Sequence, residues 1–442
     1  MARFDPAGPL RGSLRPPADK SISHRAALIA AMGEGETTVE GYLDAADTRS
    51  TLAAVQELGA GVLQDAGPSV VGRGLRIQGA GLRAGDSGER EHRSGPRPAE
   101  IDVGNAGTLL RLLPGWLAGQ EAGRWTLDGD DSIRRRPVDR IAGPLALMGA
   151  RVSCREDRFT PVTIEAAPLH GIEYELPVAS AQVKSCLLFA GLLAEGKTRI
   201  VEPLPTRDHS ERMLRAAGAT IERDGNAIVI QPAERLYPER FVVPADFSSA
   251  AFFIVAALLV PESEIELTGV GLNPTRTGLL TILERMGGEI EVEHGEESGG
   301  EPVGALRVRG SRLRGTEVGG GEIPLAIDEL PLVALAACFA EGATTIRDAA
   351  ELRRKESDRI ATVSEALTAL GASVETSEDG MRIAANGGLR GGSIDSHGDH
   401  RIAMLGAIAG LASREGVEVS GVDAAAVSYP GFEAALVSLV GG

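Results

Sequence analysis

The stretch Pro16-Pro17-Ala18-Asp19-Lys20-Ser21-Ile22-Ser23 returns, much altered, as Val243-Pro244-Ala245-Asp246-Phe247-Ser248-Ser249-Ala250. In both copies a Pro-Ala pair leads into an Asp, then into an alanine-rich apolar run. An Asp ahead of such a run suits a helix N-cap, because its carboxylate accepts from backbone N–H groups that the first turn leaves unsatisfied. The recurrence divides the chain into two halves, with crossings near residues 19 and 244. The domains expected are 1–19 plus 244–442 and 20–243.

A shorter element repeats within each half. Segments close to Gly-x-Thr-x-apolar start at Gly35 (GETTVEG), Gly123 (GRWTLDG), Gly196 (GKTRIVE), Gly342 (GATTIRD) and Gly416 (GVEVSG), with a degenerate copy, SEIELTG, at Ser263. Most units close on a glycine pair: Gly59-Ala60, Gly149-Ala150, Gly218-Ala219, Gly287-Gly288, Gly371-Ala372 and Gly441-Gly442. Before such a pair lies a helical spacing, clearest at Ile360, Val363, Leu367 and Leu370, for which the Gly is a natural stop. Six units of strand, loop, helix and strand follow, three per half, giving an α/β protein. The polar stretch Gly85 to Pro98 reads as a mobile surface loop inserted in the first half.

A chain of 442 residues exceeds what one core usually serves, which agrees with two domains. With only 3% aromatic residues, packing must rest on Ala, Leu, Val and Ile. A net charge of -17 argues against broad nucleic-acid binding and against anionic membranes. No apolar run reaches the roughly 18 residues of a membrane span, and Met1 to Arg15 lacks a signal peptide's apolar core. The odd cysteines Cys154, Cys186 and Cys338 show no ligand spacing, so free thiols in a reducing, cytoplasmic setting are expected. Lys occurs only at positions 20, 184, 197 and 355, so a Lys inside a motif stands out.

Several loop-to-helix junctions could hold anions. Asp19 to Arg25 (DKSISHR) offers Lys20, Ser21 and Arg25 where the helix dipole favours negative charge. Gly104 to Thr108 (GNAGT) has small residues that permit close backbone approach. Arg134-Arg135-Arg136-Pro137 sets three guanidiniums beside a Pro suited to a first helical turn. Ser180 to Ser185 (SAQVKS) and Thr206 to Glu211 (TRDHSE) each open a helix. Glu351 to Arg359 (ELRRKESDR) could set Glu356 between the cations Lys355 and Arg359, a setting that tunes proton transfer. Asp328-Glu329 offers a helix cap or a general base, and Asp399-His400-Arg401 a further inward Arg. Caps and solvated ion pairs remain the plainer alternative for each segment alone. No Walker loop, HExxH or GxGxxG fingerprint is present.

Taken in order, DKSISHR, GNAGT, RRRP, SAQVKS, TRDHSE, RRKESDR and DHR resemble the 3-phosphoshikimate 1-carboxyvinyltransferase (5-enolpyruvylshikimate-3-phosphate synthase) family across nearly the whole chain. The resemblance implies the two-domain enolpyruvyl transferase fold, three βαβαββ-type units per domain, with closure at a two-strand hinge. It implies addition of the 5-hydroxyl of shikimate 3-phosphate to phosphoenolpyruvate, then loss of phosphate, without metal or cofactor. By motif position, Lys20, Ser21, Arg25, Ser180, Ala181, Gln182, Arg207, Asp328 and Lys355 would hold shikimate 3-phosphate. Lys20, Asn105, Gly107, Thr108, Arg136, Gln182, Glu356, Arg359 and Arg401 would surround phosphoenolpyruvate. Lys20, Asp328 and Glu356 would be catalytic, with Asp328 the base at the 5-hydroxyl and Glu356 the proton shuttle at C3. The family also suggests a cytoplasmic monomer with these two small-molecule substrates as partners.

Three positions depart from the commoner family pattern and resemble a second class within it. Val427 stands where many members carry a Lys, Ala181 replaces a second Ser, and Glu351 stands where others have Asn. Gly107 leaves room for the analogue glyphosate. The alternatives are the sister transferase acting on UDP-N-acetylglucosamine and a catalytically silent anion-binding paralogue. Lys20-Ser21 in place of Lys-Asn, and a loop without Cys, speak against the first. The presence of Lys20, Asp328 and Glu356 speaks against the second.

Overall fold

The computed structural model describes residues 1–64, 73–83, 99–384 and 387–440. The expected loop at 85–98 and the terminal pair Gly441-Gly442 lie outside the described residues. The chain forms two compact units. The first comprises Met1–Pro17, Ala245–Glu296 and Pro302–Gly442, and the second Ala18–Pro244 with Glu297–Glu301.

All six repeated segments are strands: Glu36–Tyr42, Arg124–Asp128, Thr198–Val201, Glu264–Gly271, Ala343–Ile346 and Val417–Ser420. Each lies inside one of the six sheets found among the described residues, three sheets to a unit. In every sheet the repeated strand has one parallel and one antiparallel neighbour. Arg124–Asp128, for example, runs parallel to Ala99–Asp102 and antiparallel to Phe159–Glu165. In Phe159–Glu165 buried Val162 and Ile164 alternate with the outward Thr163 and Glu165, so that strand turns an apolar face inward and a polar one outward.

The glycine pairs end the outer helices. Gly59, Gly149, Gly218, Gly287 and Gly371 have φ of 102°, 103°, 96°, 95° and 98°, the left-handed region where a Cβ is costly. The residue after each donates to the carbonyl five positions back, as Ala60 does to Val55 at 3.0 Å and Ala372 to Leu367 at 2.9 Å. This closure satisfies the helix's last carbonyls and turns the chain into the next strand. The face predicted by Ile360, Val363, Leu367 and Leu370 is wholly buried.

Under the sheets, each unit packs its own apolar core around three helices. In the second unit these are Lys20–Met32, Gly107–Ala118 and Ala181–Leu193. In the first they are Phe247–Leu259, Leu330–Ala337 and His400–Ala412. The Phe247 helix is buried along its whole length, so every face carries Ala, Phe, Ile, Val or Leu beyond its first turn. The long repeat holds in detail: Asp19 and Asp246 share φ/ψ of -64°/121° and -68°/121°, and both cap helices. Asp19 N–H donates to Pro244 O at 2.8 Å within the second unit, and Asp246 N–H donates to Pro17 O at 2.8 Å within the first. Among the described residues no helix is long and apolar enough to cross a membrane.

Candidate active site

The three core helices of the second unit open on the motifs. Lys20 begins the first of them, its Nζ 3.1 Å from Asp47 Oδ2. The same carboxylate oxygen lies 3.7 Å from Nε2 of His24, whose Nδ1 is 2.6 Å from Thr51 Oγ1. Burial alone would raise the Asp47 carboxyl, but the adjacent His24 ring and the Lys20 charge hold it well below its ordinary value.

One turn on, Arg25 is buried among neutral oxygens. Its Nε donates to Ser210 Oγ at 2.7 Å, Nη2 to Ser185 Oγ at 3.1 Å and Nη1 to the Ser21 carbonyl at 3.0 Å. Burial, aided by the nearby charge of Arg207, lowers its pKa to about 10 against the opposing pull of Asp19, Glu211 and Glu301. A desolvated cation with no carboxylate directly on it favours an arriving anion.

Gly107 opens the second helix because two guanidiniums occupy the space a side chain would need. A Cβ there would stand 2.7 Å from Arg136 Nη1 and 3.2 Å from Arg111 Nη1. Of the three consecutive arginines only Arg136 faces the motif, since Arg134 and Arg135 are exposed and Arg134 pairs with Asp128 at 2.8 Å. Pro137 does not begin a helix, because the helix that follows is Asp139–Leu147 with Val138 at its N-cap. The Asn105 carbonyl accepts from Gly107 N–H at 2.9 Å, and Gln182 Nε2 donates to Thr108 Oγ1 at 3.4 Å. Ser180 caps the third helix through Val183 N–H, and the Ala181 carbonyl accepts from Ser185 Oγ at 2.7 Å.

Two motif residues of this unit are structural. Lys184 is fully buried with Nζ 2.9 Å from Glu202 and 2.7 Å from Glu211. His209 Nδ1 lies 2.8 Å from Glu301, a residue of the segment Glu297–Glu301.

The first unit gathers its carboxylates on Arg359. This residue starts the helix Arg359–Ala369, and the charge run before it is a tight turn at Ala350–Arg354, not a solvated helix face. Arg359 Nε donates to Asp399 Oδ2 at 2.9 Å, Nη2 to Glu356 Oε2 at 2.7 Å, and Nη1 reaches Asp328 Oδ1 at 3.5 Å. Burial would lower the guanidinium's pKa, but Glu356, Asp399 and Asp328 together raise it above the ordinary value. Lys355 Nζ adds a second cation to Asp328, at 3.2 Å. Arg401 Nη1 donates to the Asp328 carbonyl at 2.9 Å and to Glu329 Oε1 at 3.4 Å. Val427 is 43% exposed at the end of the turn Val422–Val427, and Glu351 is exposed.

Within the first unit, then, Asp328, Lys355, Glu356, Arg359 and Arg401 come together. Within the second, Lys20 meets Asp47, Arg25 meets Ser21, Arg136 meets Gly107, and Gln182 meets Thr108. Sequence reasoning missed Asp47, gave Ser185 and Ser210 no role beyond membership of helix-opening motifs, and treated Asp399 only as a neighbour of Arg401. A signal existed for Asp399: it precedes an apolar helix as Asp19 and Asp246 do, and it caps Arg401 N–H at 2.9 Å.

A family model described as EPSP synthase (3-phosphoshikimate 1-carboxyvinyltransferase) matches residues 4–436. A 3-phosphoshikimate 1-carboxyvinyltransferase of Synechococcus sp. (strain JA-3-3Ab) is 48% identical over 441 residues, covering 99% of this chain and 96% of that protein. One from Thermus thermophilus is 49% identical over 434 residues, covering 97% and 96%. A solved structure of EPSP synthase from Acinetobacter baumannii superposes with a TM-score of 0.87 at 39% identity, covering 99% of this chain and 97% of that one.

Proposed function

The chain belongs to the EPSP synthase family, and from that membership we infer that it transfers the enolpyruvyl group of phosphoenolpyruvate to the 5-hydroxyl of shikimate 3-phosphate, releasing phosphate on the route to aromatic amino acids. In the addition half, a C–O bond forms from the hydroxyl to C2 while C3 takes a proton. In the elimination half, the C2–O bond to phosphate breaks and C3 returns a proton. Asp328 takes the hydroxyl proton, Glu356 carries the proton at C3, and the Lys20 ammonium balances phosphate charge.

The remaining roles follow residue by residue. Ser21, Arg25, Ser180, Ala181 through its backbone, Gln182, Arg207 and Lys355 hold shikimate 3-phosphate. Asn105, Gly107, Thr108, Arg136, Gln182, Arg359 and Arg401 take the carboxylate and phosphate of phosphoenolpyruvate, which planar guanidiniums suit. The domains 1–19 plus 244–442 and 20–243, a monomeric state and a cytoplasmic location complete the proposal.

The observation that carries the chemistry is the seating of Glu356 and Asp328, an acid and a base, on the single guanidinium of Arg359 at 2.7 and 3.5 Å. The test is product NMR. An enolpyruvyl ether formed from shikimate 3-phosphate and phosphoenolpyruvate supports the reading. An enolpyruvyl ether formed only on UDP-N-acetylglucosamine, when that sugar nucleotide replaces shikimate 3-phosphate, would overturn it.

A further inference from the structure

We infer that Glu329, to which the scheme above gives no part, is a positioning residue for phosphoenolpyruvate that acts through Arg401; the inference rests on the proposed function. Glu329 has no solvent exposure at all. Its Oε1 accepts from Ser248 Oγ and from Arg401 Nη1, the latter at 3.4 Å. Its Oε2 is buried and has no hydrogen-bond donor among the described residues. A carboxyl group half idle in a dry core is expensive, so a position with only packing to do would favour an amide or an apolar side chain.

The arrangement around it shows what the carboxylate does. Ser248 Oγ also accepts from Arg276 Nη2 at 2.8 Å, and Arg276 is tied to Asp246 at 3.0 Å. This chain fixes the Ser248–Glu329 pair to the start of the Phe247 helix. Glu329 is the one carboxylate paired with Arg401 among the described residues. It grips the Nη1 corner from one side while the Asp328 carbonyl grips it from another. The Nε and Nη2 groups of Arg401 make no contact with protein acceptors among the described residues, so that edge is presented for a planar carboxylate or a phosphate.

The sign of the effect separates positioning from plain electrostatics. Removing a negative charge beside Arg401 would by itself strengthen anion binding. Loosening a guanidinium that must meet its ligand edge-on weakens it. In Glu329→Gln we expect the KM for phosphoenolpyruvate to rise roughly tenfold, with the KM for shikimate 3-phosphate within about twofold and kcat within about threefold of the parent. Ser248→Ala, which keeps the charge but frees one side of the carboxylate, should raise the same KM by about threefold. It carries the test alone if Glu329→Gln does not fold. An unchanged or lower KM for phosphoenolpyruvate, or equal rises in both KM values, overturns the inference while parent turnover leaves the proposed function standing. Absence of parent turnover with these substrates overturns the proposed function instead.

Discussion

Arg359 Nε donates to Asp399 Oδ2 at 2.9 Å, and neither side chain is more than 1% exposed. The pair fixes the guanidinium from behind, so that its other nitrogens can hold Glu356 and Asp328. Burying an ion pair in this way gains little net stability, but removing one partner leaves the other charge stranded. Arg359→Ala should therefore lose turnover and also cost about 3 kcal/mol of stability, read from urea midpoints. A variant with parent stability would show that Asp399 finds another partner.

Gly107→Ala tests the approach of Arg136. The added Cβ would meet Arg136 Nη1 at 2.7 Å, closer than a side-chain carbon tolerates, so the guanidinium must shift. The KM for phosphoenolpyruvate should rise about tenfold, a loss of about 1.4 kcal/mol. Glyphosate, expected to inhibit the parent in competition with phosphoenolpyruvate, should lose potency in the same variant. Steady-state inhibition at low phosphoenolpyruvate measures both, and equal potency on the two proteins would contradict the geometry.

His24 gives a pH dependence of known sign. Burial depresses its pKa, with Lys20 and Arg25 adding to the effect and Asp47 opposing it. Below the ordinary value of about 6.5 the unfolded chain takes up a proton that the folded chain refuses, so stability falls as pH drops through that range. The slope from this residue is at most about 1.4 kcal/mol per pH unit. Urea midpoints at pH 7.5 and 5.5 should differ more in the parent than in His24→Asn. Equal differences would mean that His24 titrates normally.

Thiol chemistry should leave the enzyme untouched. Burial raises Cys154 to about 11 and Cys338 to about 12, and lifts Cys186 further still. So little thiolate exists at neutral pH that iodoacetamide at pH 7.5 should not change the rate of phosphate release. Rapid inactivation would point to a reactive cysteine of the kind expected in the sister transferase.

The fold was legible wherever one residue type meets a local demand. Gly371 ends a helix in the left-handed region, and Asp246 caps a helix as Asp19 does, so periodicity and composition exposed the six units. Long-range partnerships were not legible. Asp47 reaches Lys20 from a different helix, Ser210 reaches Arg25 across most of the second unit, and nothing local marks either. Lys184 shows the same limit: as a rare Lys inside a motif it stood out in the sequence, but nothing local showed that Glu202 and Glu211 claim it in the core. For the charge run at 351–359 solvated ion pairs were the plainer alternative, but Asp358 caps the helix through Ile360 and Ala361 N–H and so leaves most of the run outside it.

The central claim is that two small anions react on this chain and that neither releases phosphate alone. The direct measurement is a phosphate-release time course with purified protein, phosphoenolpyruvate and shikimate 3-phosphate, with each substrate also supplied singly. The account predicts release only when both are present, and its loss in Glu356→Gln. Release from phosphoenolpyruvate alone, or none with the pair, would contradict it.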